Sequence, residues 1–405
     1  MSKLPEKATV RELVNLQGKR VFLRADLNVP IFNGEIADET RIVASLKTLR
    51  YLIDKGARVI LASHLGRPET KGQPEFSLRP VFERLKQHLP NTKISFADDV
   101  VGKSVETAAK ALKNGEVLLL ENLRYYKEEK KNDDDFSKKL ASLADYFVND
   151  AFGVAHRAHA STHGITKHLP AVAGFLLEKE LKILGEAIAN PKRPLTFIVG
   201  GKKIADKIAV LDNLLNIANT IIVGGGMTYT FVKAQGGKVG GSIVDDSKLE
   251  YCLGVLETAK KRGVKLLLAV DNIAADGFSN DAHTLVVDSN NIPDGWEGLD
   301  IGPKTIELFR KAVADSGTIM WGGPLGVFEL EKFSTGTREI LKAVTDNREA
   351  VTIACGGDTA YAAVKTGLAD KFTHISTGGG ASLEFLEGKE LPAIDALLGI
   401  QAKIK

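Results

Sequence analysis

The feature that most constrains this chain is a rhythm. A short apolar run gives way to a glycine or polar break, then to an amphipathic stretch, and the pattern repeats from end to end. Val21–Leu23, Val59–Leu61, Ile94–Phe96, Val117–Leu120 and Tyr146–Val148 read as strands. Between them Thr40–Ile53, Leu78–Leu89, Val105–Leu112 and Phe136–Leu143 read as helices; in the first, Ile42, Leu46, Leu49 and Ile53 fall at helical spacing. After a less regular region the rhythm restarts. Leu195–Val199, Ile221–Val223, Val264–Val270, Ile319–Trp321, Val351–Ala354 and Phe372–Ile375 are strand candidates, and Ala205–Ile217 reads as a helix. Such alternation predicts an α/β chain with mostly parallel sheets.

At 405 residues, two α/β domains fit better than one very large sheet. The best boundary lies near Gly174–Pro191, where Phe175–Ala189 reads as a connecting helix. The charge-dense run Lys127–Asp135 reads as a solvated loop and helix start. A formal charge of +3, from 54 basic and 51 acidic residues, argues against a general nucleic-acid binder. Anion recognition must then come from local clusters. Two cysteines, Cys252 and Cys355, make neither a zinc site nor a disulfide framework, which points to a reducing compartment. The first ten residues lack the apolar core of a signal peptide, and no run is long enough to span a membrane. A cytoplasmic location is the expectation.

The two halves carry different chemistry. Ten of the 39 glycines lie in residues 1–175. In the second half glycines cluster where strands should end: Gly200-Gly201, Gly224 to Gly226, Gly322-Gly323, Gly356-Gly357 and Gly378 to Gly380. Ligands of parallel sheets sit beyond the carboxyl ends of the strands. Glycine there lets backbone N–H groups approach a phosphate, helped by a following helix. Any single cluster is explained by a tight turn alone; five after predicted strands favour a nucleotide or phosphate site.

In the first half the strand ends carry side chains instead. Arg24 to Asn28, Ser63 to Arg67, Glu121 to Arg124, Asn149-Asp150 and His156 to His159 are the segments concerned. If these loops share one sheet edge, Arg24, Arg41, Arg67, Arg124 and Arg157 converge, and guanidinium forks grip carboxylate and phosphate. Each alone is more easily a surface ion pair; the repetition argues for a small polyanion. His156 and His159 could ligate a metal from a helix, but no third ligand stands at sensible spacing, so they read as anion-site residues.

The chain has no Walker-A motif, no G-x-S-x-G elbow and no complete G-x-G-x-x-G after a strand, which weakens a nicotinamide-dependent reading. Lys203 and Lys207, four apart at a strand-to-helix junction, put two cations at the positive end of a helix, an arrangement that needs an anion. Asp358, after Gly356-Gly357, can meet phosphate only through Mg²⁺.

These residues closely resemble the phosphoglycerate kinase family over essentially the whole chain. The matching segments are Val21–Pro30, Ser63–Pro68, Glu121–Arg124, Asn149–Ser161, Gly200–Ile208, Gly224–Met227, Trp321–Glu329, Gly356–Ala360 and Ser376–Leu383. The resemblance implies two Rossmann-like domains, each a mostly parallel sheet flanked by helices, joined by an interdomain helix hinge. Residues 1–174 would bind 3-phosphoglycerate or 1,3-bisphosphoglycerate, with the tail 391–405 packed back on them. Residues 175–390 would bind ADP or ATP with Mg²⁺. The glycerate site would use Arg24, Asp26, Leu27, Asn28, Arg41, His64, Leu65, Gly66, Arg67, Arg124, His156, Arg157 and His159. The nucleotide site would use Gly201, Lys203, Lys207, Gly225, Glu329, Gly356, Gly357, Asp358 and Thr359, with Asp358 on the metal.

The implied reaction is glycolytic and gluconeogenic phosphoryl transfer by a monomeric kinase. Its acceptor is a carboxylate already ionised at neutral pH, so no general base is required. Arg41 and Lys203, with amides around Gly357 and Gly379, are the expected catalytic groups. Four positions depart from the family pattern: Gly322 stands for an asparagine, Leu325 for a methionine, Cys355 for a glycine and Lys202 for a small residue. They bear on nucleotide affinity; Cys355 also raises the question of oxidation sensitivity. The rival readings are a non-catalytic anion binder on the same fold and a nicotinamide-dependent enzyme.

Overall fold

The computed structural model describes residues 6–400. By contact these fall into two compact units. One holds the described residues up to Lys182 together with those from Glu390 on, the other Ile183–Lys389.

The sheet of the first unit has six strands in the spatial order Ile94–Phe96, Val117–Leu119, Arg58–Ala62, Arg20–Ala25, Tyr146–Asp150 and Ala171–Ala173. Every pairing is parallel. The apolar runs seen in the sequence are its core: Val21, Phe22, Leu23, Val59, Ile60, Leu61, Phe147 and Val148 are all sealed from solvent. Helices on both faces demand strands that are apolar on both sides, which is why these read as continuous runs. Arg24 pairs in register with Ala62 on one side and Asn149 on the other. The loops that start at Asp26, Ser63 and Ala151 therefore leave from one edge. Chain direction across the sheet reverses at the Arg20–Ala25 strand, the kind of switch point where α/β sheets open a crevice.

The sheet of the second unit is also parallel. Its order is Lys265–Leu267, Thr220–Val223, Leu195–Val199, Thr318–Gly322, Val351–Cys355 and His374–Ile375. Numbered along the chain this is 3-2-1-4-5-6, the order of dinucleotide-binding sheets. Val199 lies opposite both Val223 and Gly322, so Gly200, Gly224 and Gly323 emerge side by side at the switch point.

The second unit also holds an antiparallel sheet, absent from the predicted elements, of Thr284–Asp288, Asp271–Ala275 and Glu297–Ile301. The predicted strand Val264–Val270 accordingly stops at Leu267. The Asp271 carboxylate caps the helix Pro303–Ala314 by accepting from Lys304 N at 3.0 Å and Thr305 N at 2.8 Å, which draws the chain away from the parallel sheet.

The helix Phe175–Ala189 has the predicted bounds. The division between the units falls inside it, after Lys182, rather than at the expected 174/175 boundary. Its N-terminus is held by the buried Asp150, whose Oδ1 accepts from Leu176 N at 2.8 Å and Leu177 N at 3.1 Å, while Thr48 Oγ accepts from Phe175 N at 2.9 Å. The C-terminal segment joins the first unit: Leu398 N donates to Ala171 O, Ala8 N to Leu398 O, and Ala393 N to Ala155 O. Residues 401–405 of the expected tail lie outside the described residues.

Candidate functional site

In the first unit the strand-end loops bring together Arg24, His64, Arg124, His156, Arg157 and His159, and Arg41 reaches them from the first turn of the helix Thr40–Asp54. Arg41 Nη1 meets Asp26 Oδ2 at 2.7 Å, and His64 Nδ1 lies 4.0 Å from Asp26 Oδ1. Asn28 Oδ1 accepts from Gly66 N at 2.7 Å, and Gly66 O accepts from Arg124 Nη1 at 2.7 Å. Arg24, Asp26, His64, Arg124 and His159 are buried. Arg41 and His156 are part-exposed, whereas Arg67 and Arg157 stand exposed. His156 and His159 do not sit on a helix; they lie in the turn and loop that follow the short helical turn Phe152–Val154.

The electrostatics follow from this crowding of cations. Burial, reinforced by Arg157 and Arg124, pushes His156 down to about 4. Burial with Arg24, Arg124 and Arg157 pushes His159 down to about 3. His64 is driven well below its ordinary value by burial and then by Arg24, Arg124 and Arg41. Arg124 itself falls to about 10, through burial and the neighbouring Arg24 and Arg157. The three imidazoles are thus neutral hydrogen-bonding groups, and the guanidinium groups carry the charge. The buried Nε of Arg124 has no hydrogen-bond partner. A donor left over in a buried cationic cluster fits an anionic ligand.

Three residues expected at this site are committed to the scaffold through their main chain. Leu27 N donates to Ser63 Oγ, Leu65 N to Asn122 Oδ1 and Gly66 N to Asn28. Arg24 is wholly buried and donates to Ser161 Oγ at 2.9 Å, to Ala25 O and to His64 Nδ1 at 3.2 Å. Asn122 braces the same loop, donating to Leu65 O and Phe76 O and accepting from Leu65 N and Arg124 N.

The charge run Lys127–Asp135 is not wholly solvated. Glu129, on the five-residue helix Lys127–Lys131, is fully buried beneath the arginines. Its carboxylate clamps Ser161, accepting from the backbone N at 2.9 Å and from the hydroxyl at 2.7 Å. Nothing in a run of alternating charges marks which residue turns inward.

In the second unit the glycines sort into two kinds. A Cβ on Gly200 would strike the carbonyls of Gly323 and Pro324, one on Gly224 the Leu325 side chain, and one on Gly225 would lie 2.6 Å from Gly201 O. These glycines exist so that neighbouring loops can touch. Gly356, Gly357 and Gly379 have nothing within 4 Å of such a Cβ, and for Gly201 only Lys207 Cε approaches, at 3.7 Å. Gly356 and Gly379 immediately precede the helices Gly357–Lys365 and Gly380–Leu386, and neither helix start receives a side-chain cap. Open glycines at uncapped helix starts leave N–H groups for a ligand. Thr359 Oγ accepts from Gly323 N at 2.7 Å and so ties two of these loops together.

Lys203 is exposed and precedes a 3-10 turn, Ile204–Lys207; the α-helix begins only at Ile208. The two lysines are therefore not on one α-helical face, as the spacing predicts, because the tighter turn intervenes. Lys207 is half-buried and burial lowers its pKa, against the opposing pull of Asp206, Glu387, Asp358 and Cys355. Asp358 and Glu329 are exposed. No cluster of three or more His, Cys, Asp or Glu able to hold a metal occurs among the described residues. A single exposed carboxylate beside open amides fits a Mg²⁺ whose other ligands are phosphate oxygens and water. Among the departures, Gly322 and Cys355 are register partners on adjacent strands, so the missing side chain and the added one sit next to each other. The Cys355 thiol is wholly buried, Leu325 packs on Gly224, and Lys202 is exposed.

Comparison with known proteins agrees over nearly the full length. A family model described as phosphoglycerate kinase matches residues 10–389. The chain is 52% identical over 389 residues to a phosphoglycerate kinase of Clostridium botulinum, covering 95% of this chain and 97% of that protein. It is 51% identical to one of Clostridium tetani, covering 96% and 98%. Among solved structures, the phosphoglycerate kinase of Coxiella burnetii matches with a TM-score of 0.86 at 42% identity, covering 96% of this chain and 98% of that one. That of Pyrococcus horikoshii matches with a TM-score of 0.82 at 32% identity over the same shares. No helix among the described residues is long and apolar enough to cross a membrane.

Proposed function

The chain belongs to the phosphoglycerate kinase family, and from that premise we propose how its residues divide the work. The reaction is reversible phosphoryl transfer between 1,3-bisphosphoglycerate and ADP, giving 3-phosphoglycerate and ATP. In the proposed assignment Arg41, Arg67, Arg124 and Arg157 grip the glycerate, with His64, His156 and His159 as neutral hydrogen-bonding partners and Asp26 and Asn28 orienting the loop. Lys203, Lys207, Glu329, Thr359 and the main chain at Gly201, Gly225, Gly356 and Gly357 hold the nucleotide. The unpartnered Arg124 Nε in a cluster of cations is the observation that carries the glycerate half.

The attacking group in the direction of ATP consumption is a carboxylate, so this chain needs no residue to remove a proton. Its contribution is alignment and charge. Arg41 and Lys203 are assigned to the transferring phosphoryl, with the amides of Gly357 and Gly379 completing the cradle. Asp358 is the residue that would hold Mg²⁺, which supplies positive charge at the phosphates when the nucleotide is bound. Because the two substrates are assigned to separate units, transfer requires those units to close and exclude water. The helix Phe175–Ala189 is the proposed hinge. The same reading takes the chain as a cytoplasmic monomer.

An assay supplying 3-phosphoglycerate and Mg-ATP, coupled to detection of the acyl phosphate, tests the whole assignment. Turnover dependent on both substrates and on Mg²⁺ is the expected result. Nucleotide binding without turnover would leave a binding protein instead.

A further inference from the structure

Arg24 was expected to touch substrate, yet it has no exposed surface. A guanidinium has no acceptor, so every hydrogen bond it makes runs outward. That fact sets the direction of a buried chain of contacts. Arg24 Nε donates to Ser161 Oγ at 2.9 Å. The Ser161 hydroxyl then has one proton to give, and it lies 2.7 Å from Glu129 Oε1. At its other end Arg24 Nη2 reaches His64 Nδ1 at 3.2 Å, so Nδ1 is the acceptor. A neutral imidazole accepting at Nδ1 carries its proton on Nε2.

We propose that Glu129, Ser161 and Arg24 form a buried relay that fixes His64 in its Nε2–H form, making all three positioning residues for glycerate binding. The proposal rests on the reading that the arginine cluster holds 3-phosphoglycerate. The remaining titratable groups facing His64 are Arg41, Arg124, His159 and Asp26. Burial, with Arg24 and the two cations among them, Arg124 and Arg41, holds the ring neutral; the Arg24 contact decides which nitrogen keeps the proton. Glu129 anchors Ser161 through the backbone N at 2.9 Å and orients its hydroxyl at 2.7 Å, so a change of serine rotamer would break the hydroxyl's contacts with both Glu129 and Arg24. Outer partners of this kind orient the group that meets the ligand.

Nitrogen NMR of ¹⁵N-histidine-labelled, ligand-free protein reads the tautomer directly. The expected His64 pattern is a protonated Nε2 and a bare Nδ1, unchanged between pH 6 and 8. In Ser161→Ala the signals should move toward a mixture of tautomers. The KM for 3-phosphoglycerate should rise about tenfold, as for a lost hydrogen bond to a charged group, while that for Mg-ATP stays within about twofold. Ser161→Thr, which keeps the hydroxyl, should restore both readings. Glu129→Gln should act in the same direction as Ser161→Ala. A parent protein with His64 as Nδ1–H, or titrating like a free imidazole, overturns the relay. So does a Ser161→Ala variant with unchanged tautomer and KM. Failure of the glycerate reading would appear separately, as a parent chain without 3-phosphoglycerate-dependent turnover; the tautomer, measured without ligand, stands or falls on its own.

Discussion

Arg41 reaches Asp26 at 2.7 Å, a pair in which the carboxylate is buried and the guanidinium side chain keeps about a third of its surface exposed. The pair uses one face of the fork and leaves the rest to solvent. Asp26 therefore aims a cation without cancelling it, and Arg41 remains competent to meet a second anion. Arg41→Ala should lower kcat about 10²–10³-fold, the usual consequence of deleting one donor to a developing charge. Lys203→Ala should do the same from the nucleotide side. Steady-state kinetics with purified variants checks this, and near-normal turnover in both would refute the catalytic assignment.

Two glycine substitutions should fail for opposite reasons. Gly225 has φ +67°, and an added Cβ would sit 2.6 Å from Gly201 O. Gly225→Ala should therefore destabilise the second unit, with a clear drop in its melting temperature. Gly357 has open space around it, so Gly357→Ala should melt like the parent yet bind ADP at least about tenfold more weakly. Calorimetry and ADP titration on both variants separate packing from recognition; equal melting temperatures and equal affinities would contradict the distinction.

Two buried carboxyls should oppose stability as pH rises. Burial pushes Asp150 up to about 6 and Asp300 up to about 7, from 3.8. Below about pH 4 both states bind the proton and neither group matters. Between that point and the folded pKa the unfolded chain ionises first, so stability falls as pH rises and then levels off. Asp300→Asn cannot titrate. Its stability relative to the parent should improve steadily from about pH 4 to about pH 7 and stay constant above. Denaturant melts across that range would show it, and a gap that does not vary with pH would disprove the shift.

The histidines work in the other direction. With His156 lowered to about 4 and His159 to about 3, both stay neutral in the folded protein where an unfolded imidazole takes up a proton. Their contribution to stability is full above about pH 6.5 and is lost as pH falls toward those values. Proton NMR of the ligand-free protein should show neither ring titrating between pH 5 and 8. Saturating phosphate should move both pKa values upward, because an added anion offsets the arginines. Titration near 6.5 without ligand would contradict the picture.

Closure of the two units should appear in solution scattering as a smaller radius of gyration when 3-phosphoglycerate and Mg-ADP are both bound. A radius unchanged by the pair of ligands would count against a hinge at Phe175–Ala189.

Much of the framework was legible because parallel strands must be apolar on both faces. Val21–Leu23 and Val59–Leu61 announce themselves as unbroken runs, and Leu195–Val199 is interrupted only by the buried Thr196. The antiparallel strand Thr284–Asp288 carries an equal run, Leu285–Val287, but a second short strand rather than an amphipathic helix follows it, so it falls outside the alternation that marks parallel strands. The arginines that we assign to the glycerate site, Arg67 and Arg124 among them, drew notice by their place after predicted strands. Glu129 could not, because a buried glutamate in a run of lysines and glutamates looks like any other surface charge.

By itself the sequence determined the fold class, the helix that joins the units, and the segregation of arginine-bearing and glycine-bearing strand ends. All of these are local consequences of periodicity and residue type. Only the tertiary structure decided which glycines pack and which stand open, that Arg24 is buried and turned toward His64, and that Glu129 lies beneath it. Those facts depend on contacts between segments far apart in the chain. A charge shows its role only once the geometry reveals what faces it.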